Sequence, residues 1–237
     1  MAPRYRLALR PAASAAPAPL MIVLDADDQF ATVQEVAERL VAAGAISDLH
    51  LAGVGYGGGY HSPLNRRMLD YTPTPDPSEP ANTGGAAPFL RFLTNELLPQ
   101  LQELWPVDPA RLGITGHSLG SLFGLFAITQ AKSPFTHYLI SSPSLWWHNR
   151  SVLAPLRQAR QQPRPPRRAH FSVGDGDTES MRAELQELMD ELRAHPIAWL
   201  QHTCQVLEGF DHYHSYEPAL DAGLRWLWSV PSTSMSG

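Results

Sequence analysis

Short apolar runs alternate along this chain with segments whose apolar residues recur every three or four positions. Residues 20–24 form a continuous apolar run closed by Asp25, the pattern of a strand buried on both faces. Over residues 32–43, Val33, Val36, Ala37, Leu40 and Val41 repeat at helical spacing until Gly44 stops them. The same alternation predicts strands over 5–9, 49–54, 112–115, 138–141, 170–173 and 199–207. It predicts helices from Pro88 through Leu101, kinked at Pro99, and over 119–131, 150–160, 178–194 and 216–229. Residues 55–87 carry no such period and are rich in Gly, Pro, Asn and Thr, a length of loop that is usually functional. Residues 163–168 read as a polar, Pro-rich surface connection, and 230–237 as a disordered tail. No repeat or linker divides the chain. The expectation is one α/β domain over 1–237, a mostly parallel central sheet with helices on both faces.

Composition narrows the function. A formal net charge of -5 with only short basic clusters, Arg66-Arg67 and the arginines between 164 and 168, argues against a nucleic-acid partner. No apolar run is long enough to span a membrane, so no membrane partner is expected. Residues 1–18 include an Ala-Ser-Ala-Ala-Pro-Ala stretch that mimics a cleavage site. Arg4, Arg6 and Arg10 leave no apolar centre there, which points to a cytoplasmic protein. Cys204 is the single cysteine and reads as an inert strand residue.

Gly116-His117-Ser118-Leu119-Gly120 is a G-x-S-x-G pentapeptide between a predicted strand and a predicted helix. A turn that sharp strains the serine backbone, requires small neighbours, and sets the hydroxyl over a helix N-terminus that favours negative charge. Ser118 is therefore the candidate nucleophile rather than a mere helix cap. A hydroxyl needs a base, and in this fold the acid and then the histidine follow the serine along the chain. His212 and His214 both follow the last strand. The pair also suggests a metal site, but no third ligand is apparent, so no metal and no cofactor is expected. Asp175, Asp177 and Glu179 compete for the acid, with Asp177 slightly ahead, although Asp177 or Thr178 could simply cap the helix behind them. The oxyanion donors would be the N–H groups of Leu119 and, from the glycine-rich loop after the third strand, Tyr56. Gly53, Gly55 and Gly58 also match G-x-G-x-x-G, but Tyr60-His61-Ser62-Pro63 follows where a dinucleotide site needs a helix.

With these residues in hand, the chain resembles the esterase D-like family of α/β-hydrolases, and within it the branch of siderophore (enterobactin and salmochelin) esterases. Gly116 to Gly120 matches the family elbow G-H-S-L-G. Residues 65–73 match a segment of the form R-x-x-D-Y-T-P, residues 142–147 one of the form S-P-S-x-W-W, and Gly209-Phe210-Asp211-His212 the G-x-x-H of the catalytic histidine. The resemblance implies Ser118 and His212 as the catalytic pair, and Arg67 as a cation on the substrate side. From the residues alone, Arg67 could equally pair with Asp70 on the surface. Some siderophore esterases work as a Ser–His pair, which leaves the acid open. Ser121 departs from the family, which usually has a second glycine there; its small side chain should spare the elbow. One of Trp146 and Trp147 is expected in the core, the other, Trp146, at the wall of the substrate pocket.

These readings converge on a serine esterase that forms an acyl-enzyme on Ser118 and acts on a small-molecule ester, conceivably a siderophore or its ferric complex. A general carboxylesterase or an acyltransferase uses the same residues. A binding protein on a hydrolase scaffold is the alternative of another class; it gives no reason to keep both Ser118 and His212.

Overall fold

The computed structural model describes residues 5–229, and the expected 230–237 tail lies outside them. Seven strands form one sheet: β1 (Arg6–Arg10), β2 (Ala18–Val23), β3 (His50–Gly55), β4 (Val107–His117), β5 (His137–Ser141), β6 (Arg167–Gly174) and β7 (Leu200–Leu207). Their order is β1-β3-β2-β4-β5-β6-β7, with β1 antiparallel to β3 and every other pair parallel. This is the mostly parallel sheet the alternating pattern predicts, in the α/β-hydrolase fold that the resemblance implies. The period-two geometry of a strand splits the core between the two faces. Met21 and Val23 of β2 pack with α1 (Ala26–Ala42) and α8 (Tyr216–Trp228). Leu20 and Ile22 face the helices between them in sequence: α2 (Arg67–Tyr71), α3 (Ala86–Phe92), α4 (Leu98–Leu104), α5 (Leu119–Thr129), α6 (Leu153–Ala159) and α7 (Glu179–Ala194).

Four departures from the sequence pattern have local causes. Helix α1 starts at Ala26, six residues before its apolar period begins, because Asp27 and Asp28 make a polar first turn. Strand β4 begins at Val107, ahead of the expected 112–115 run. The register with β2 jumps from Ala18↔Val107 to Leu20↔Leu112, so the intervening residues bulge out of the pairing. Upstream of Pro99, residues Leu93–Leu97 wind as a π-helix between α3 and α4. Proline has no N–H and its ring crowds the carbonyl four residues back, so the ladder widens just before it. The supposed surface connection before β6 ends in a buried side chain. Arg167 is 2% exposed and donates to the carbonyls of Ile128, of Gln130 at 3.1 Å and of Ser133 at 3.0 Å. It satisfies the unpaired carbonyl end of α5, where a cation is also favoured by the helix dipole. Cys204 lies on the edge strand β7, and burial pushes its thiol up to about 11, away from reactivity.

Candidate active site

Parallel strands aim their carboxyl ends one way, and the loops leaving those ends build the site. Ser118 follows β4 directly, with φ 58° and ψ -114°, a conformation unfavourable for a residue with a side chain. The turn holds because its flanks are bare: a Cβ on Gly116 would sit 2.6 Å from the backbone of Gly120. The Ser121 hydroxyl lies 2.7 Å from the Gly116 carbonyl and 2.8 Å from that of Ser141, and accepts the Ser141 N–H at 2.7 Å. The residue that departs from the family pattern thus ties the elbow to β5. Ser118 and His212 line one cavity of about 450 Å³, together with Arg67, Tyr60, Met68, His117 and Tyr213.

His212 Nδ1 is 2.6 Å from Asp177 Oδ1. The other oxygen of Asp177 accepts the Ser142 hydroxyl and the Gly174 N–H, each at 2.8 Å. Burial works against the charged form of Asp177, but these donors outweigh it and hold the carboxyl below its usual range. The competing acids are elsewhere. Asp175 accepts the Gly209 N–H at 2.9 Å, and Glu179 is exposed on the first turn of α7. Thr178, not Asp177, caps that helix, its hydroxyl accepting the Met181 N–H. His214 is exposed and pairs at 2.7 Å with the exposed Asp211. Among the described residues, no cluster of three or more His, Cys, Asp or Glu is placed to hold a metal.

Two expected donors differ in fate. Leu119 opens α5 directly after Ser118, where an N–H has no carbonyl one turn earlier to bond. The Tyr56 N–H instead donates to Asp27 Oδ2 at 2.5 Å, the Gly57 N–H lies 3.2 Å from both oxygens of that carboxylate, and Tyr56 is absent from the cavity wall. The glycine-rich loop is bare because α1 presses its first-turn acids into it: a Cβ on Gly55 would lie 2.5 Å from Asp27 Oδ2. No helix follows Gly58 until Arg67, so the loop also lacks the geometry of a dinucleotide site.

Arg67 pairs with neither the surface nor Asp70. Its Nε and Nη2 donate to the two oxygens of buried Asp25 at 3.1 and 3.0 Å, a bidentate fork that leaves Nη1 unused by that pair. Asp70 instead accepts the Tyr5 hydroxyl at 3.0 Å, with Arg66 at 3.9 Å. Burial raises the Asp25 carboxyl and Arg67 opposes the rise. The tryptophan expectation is half right. Trp147 is buried and donates to the Thr74 carbonyl at 3.2 Å, but Trp146 is 49% exposed and lies outside the wall of the Ser118 cavity. Its neighbour Leu145 fills the core, which turns Trp146 outward.

Three neighbours of the site went unassigned in the sequence: His117, Ser142 and Ser144. The His117 ring lies 4.6 Å from that of His212, tilted by 44°, with Nδ1 3.1 Å from Ser141 Oγ. Burial, and then the neighbouring His212, push its imidazole down to about 3, so it stays neutral. Ser144 Oγ is 3.1 Å from Ser118 Oγ. The S-P-S-x-W-W motif is the sequence signal that points to this stretch.

The family model described as "Putative esterase" matches residues 3–227. The chain belongs to this esterase family. Its likeness to a solved structure, that of the BES protein from Bacillus cereus, runs over 95% of this chain and 90% of that one, with a TM-score of 0.86 and 28% identity. The siderophore triacetylfusarinine C esterase of Aspergillus fumigatus is 36% identical over 145 residues, 58% of this esterase-family chain and 48% of that protein. The ferri-bacillibactin esterase BesA of Bacillus subtilis is 32% identical over 149 residues, 57% of this chain and 50% of its own length. The match thus spans about half of these two curated relatives.

Proposed function

We propose that this protein is a serine esterase in which Ser118 attacks the ester carbonyl, His212 takes its proton, and Asp177 holds His212. The observation that carries this reading is the His212 Nδ1–Asp177 Oδ1 contact of 2.6 Å, in the wall of the cavity that holds strained Ser118. A carboxylate on Nδ1 fixes the tautomer that leaves Nε2 as the base and stabilises the imidazolium that forms. The Leu119 N–H faces the developing oxyanion. Arg67, held rigid by Asp25, is the cation left to support it where Tyr56 cannot. Collapse of the tetrahedral intermediate expels the alcohol, protonated by His212, and water activated by the same imidazole frees the acid. The sharper reading is a siderophore ester, supported by the relatives named as siderophore esterases and by the guanidinium in the pocket.

Hydrolysis of a short-chain nitrophenyl ester and labelling by a fluorophosphonate test the first reading, with Ser118→Ala beside the wild type. Both signals should vanish in the variant. Equal rates in the two proteins with no labelling would leave a binding scaffold instead. Trilactone and other siderophore esters, compared with simple esters by kcat/KM, test the second.

A further inference from the structure

Residues 141–144 leave the end of β5 and touch both ends of the proposed relay. The Ser118 N–H donates to the Ser141 carbonyl at 3.0 Å, and the Ser118 carbonyl accepts the Ser144 N–H at 3.2 Å. The Ser118 hydroxyl lies 3.1 Å from that of Ser144. The nucleophile is thus held at its N–H, its carbonyl and its side chain by one short stretch. Two residues before Ser144, Ser142 donates to Asp177 Oδ2 at 2.8 Å. Ser142 has φ 45°, in the left-handed region that a side chain disfavours, and its N–H donates to the Ser172 carbonyl at 2.8 Å. Both serines are buried, so neither hydroxyl is turned out to water. Pro143 stands between them and removes one backbone freedom from the link.

We propose that Ser142 and Ser144 are positioning residues: the turn they share fixes the acid and the nucleophile relative to each other, Ser144 through Ser118 Oγ and Ser142 through Asp177. The inference rests on the serine-esterase reading above. Neither residue is assigned a proton in the reaction; each orients a group that is.

The test uses the whole chain and first requires that wild type be labelled by a fluorophosphonate and that Ser118→Ala not be. Failure at that step removes the esterase reading itself. With labelling established, Ser144→Cys keeps the side-chain shape with a somewhat larger atom and weakens the hydrogen bond, since a thiol is a poor donor and acceptor. It should lower kcat and the labelling rate together by about three- to tenfold, the range expected for one neutral hydrogen bond. KM and melting temperature should stay at the wild-type values. Ser142→Gly tolerates the positive φ while deleting the hydroxyl. It should lower kcat about tenfold or more, as for a bond to a charged group, and move the acid limb of the kcat/KM profile to higher pH, because a carboxylate stripped of a donor puts more negative charge against Nδ1 and favours the protonated, inactive imidazole. Wild-type kcat and labelling rate in Ser144→Cys, or an unmoved acid limb in Ser142→Gly, would overturn the proposal for that residue. A loss accompanied by a fall in melting temperature and a raised KM would mark the turn as structural only, and would overturn it too.

Discussion

Asp177 differs from its two acidic neighbours in what its carboxylate touches. Asp175 binds a backbone N–H and Glu179 faces solvent, while Asp177 is buried against His212. Asp177→Asn removes the charge and can present an amide N–H to Nδ1, selecting the wrong tautomer. We expect kcat to fall by about 10⁴-fold, as such a change does in other Ser-His-Asp enzymes, against wild-type activity for Glu179→Gln, both measured on a nitrophenyl ester. A loss below tenfold in Asp177→Asn would mean that Ser118 and His212 act as a pair without an acid. Arg67 carries a second prediction. Arg67→Met leaves Asp25 buried without its cation, and breaking such a pair costs about 3–5 kcal/mol, read as a lower urea midpoint. Adding Asp25→Asn should recover part of that loss, while kcat/KM stays low in both variants if Arg67 supports the oxyanion. Full recovery of activity in the double variant would confine Arg67 to a structural role. The sequence nominates Asp177 and Arg67 but puts Asp177 only slightly ahead of its neighbours and does not pair Arg67 with Asp25, because both answers depend on contacts between distant positions such as Asp177–His212, 35 apart in the chain.

At the scale of elements, what was legible is what is local. The apolar runs of β2 and β3, the period of α7 and the strand–turn–helix around Ser118 each declare themselves within about a dozen residues. What was hidden needs a second element to explain it. The N–H groups of the glycine-rich loop turn toward Asp27 because α1 begins earlier than its apolar period, so Tyr56 loses its expected role to a helix start that the pattern did not reveal. Arg167 looked like a surface charge in a Pro-rich stretch, and only the position of α5 makes it a cap. Arg167→Leu should leave the Ser133 carbonyl without a donor, the Ile128 carbonyl with only Arg164 Nη1 at 3.4 Å, and the Gln130 carbonyl with only the Ser133 N–H at 3.2 Å. At about 1–3 kcal/mol for each buried unsatisfied group, less whatever water recovers, the variant should unfold at clearly lower urea than wild type. Arg168→Leu, which loses part-buried contacts to the Leu227 and Trp226 carbonyls and the guanidinium's place over the Trp226 ring, should cost less. Equal midpoints for the two variants would show that the α5 terminus finds other donors.

For the molecule as a whole, the buried histidines set how the fold responds to acid. Burial pushes His170 down to about 4, and burial, then Arg168 and Arg111, bring His137 to about 4 as well; His117 is held near 3. Each is neutral in the fold and takes a proton near pH 6.5 once unfolded. Between about pH 6.5 and 4 the unfolded chain therefore binds protons that the fold refuses, and stability falls as pH falls, by at most about 1.4 kcal/mol per pH unit for each histidine. Asp25 and Asp70, whose carboxyls burial raises, pull in the opposite direction above their ordinary values. The net slope is thus a difference, and one residue isolates its cause. Neither ring nitrogen of His170 has a hydrogen-bond partner, and the ring packs beside Gly223 and Leu139. His170→Leu should consequently be neutral or stabilising at pH 7, since an apolar side chain gives up nothing there. It should also flatten the decline in unfolding free energy between pH 6.5 and 4.5 by about one proton's worth. Urea titrations of both proteins across that interval measure the slope directly. An unchanged slope would mean that His170 takes up its proton inside the fold, and that the acid sensitivity belongs to His137 and His117.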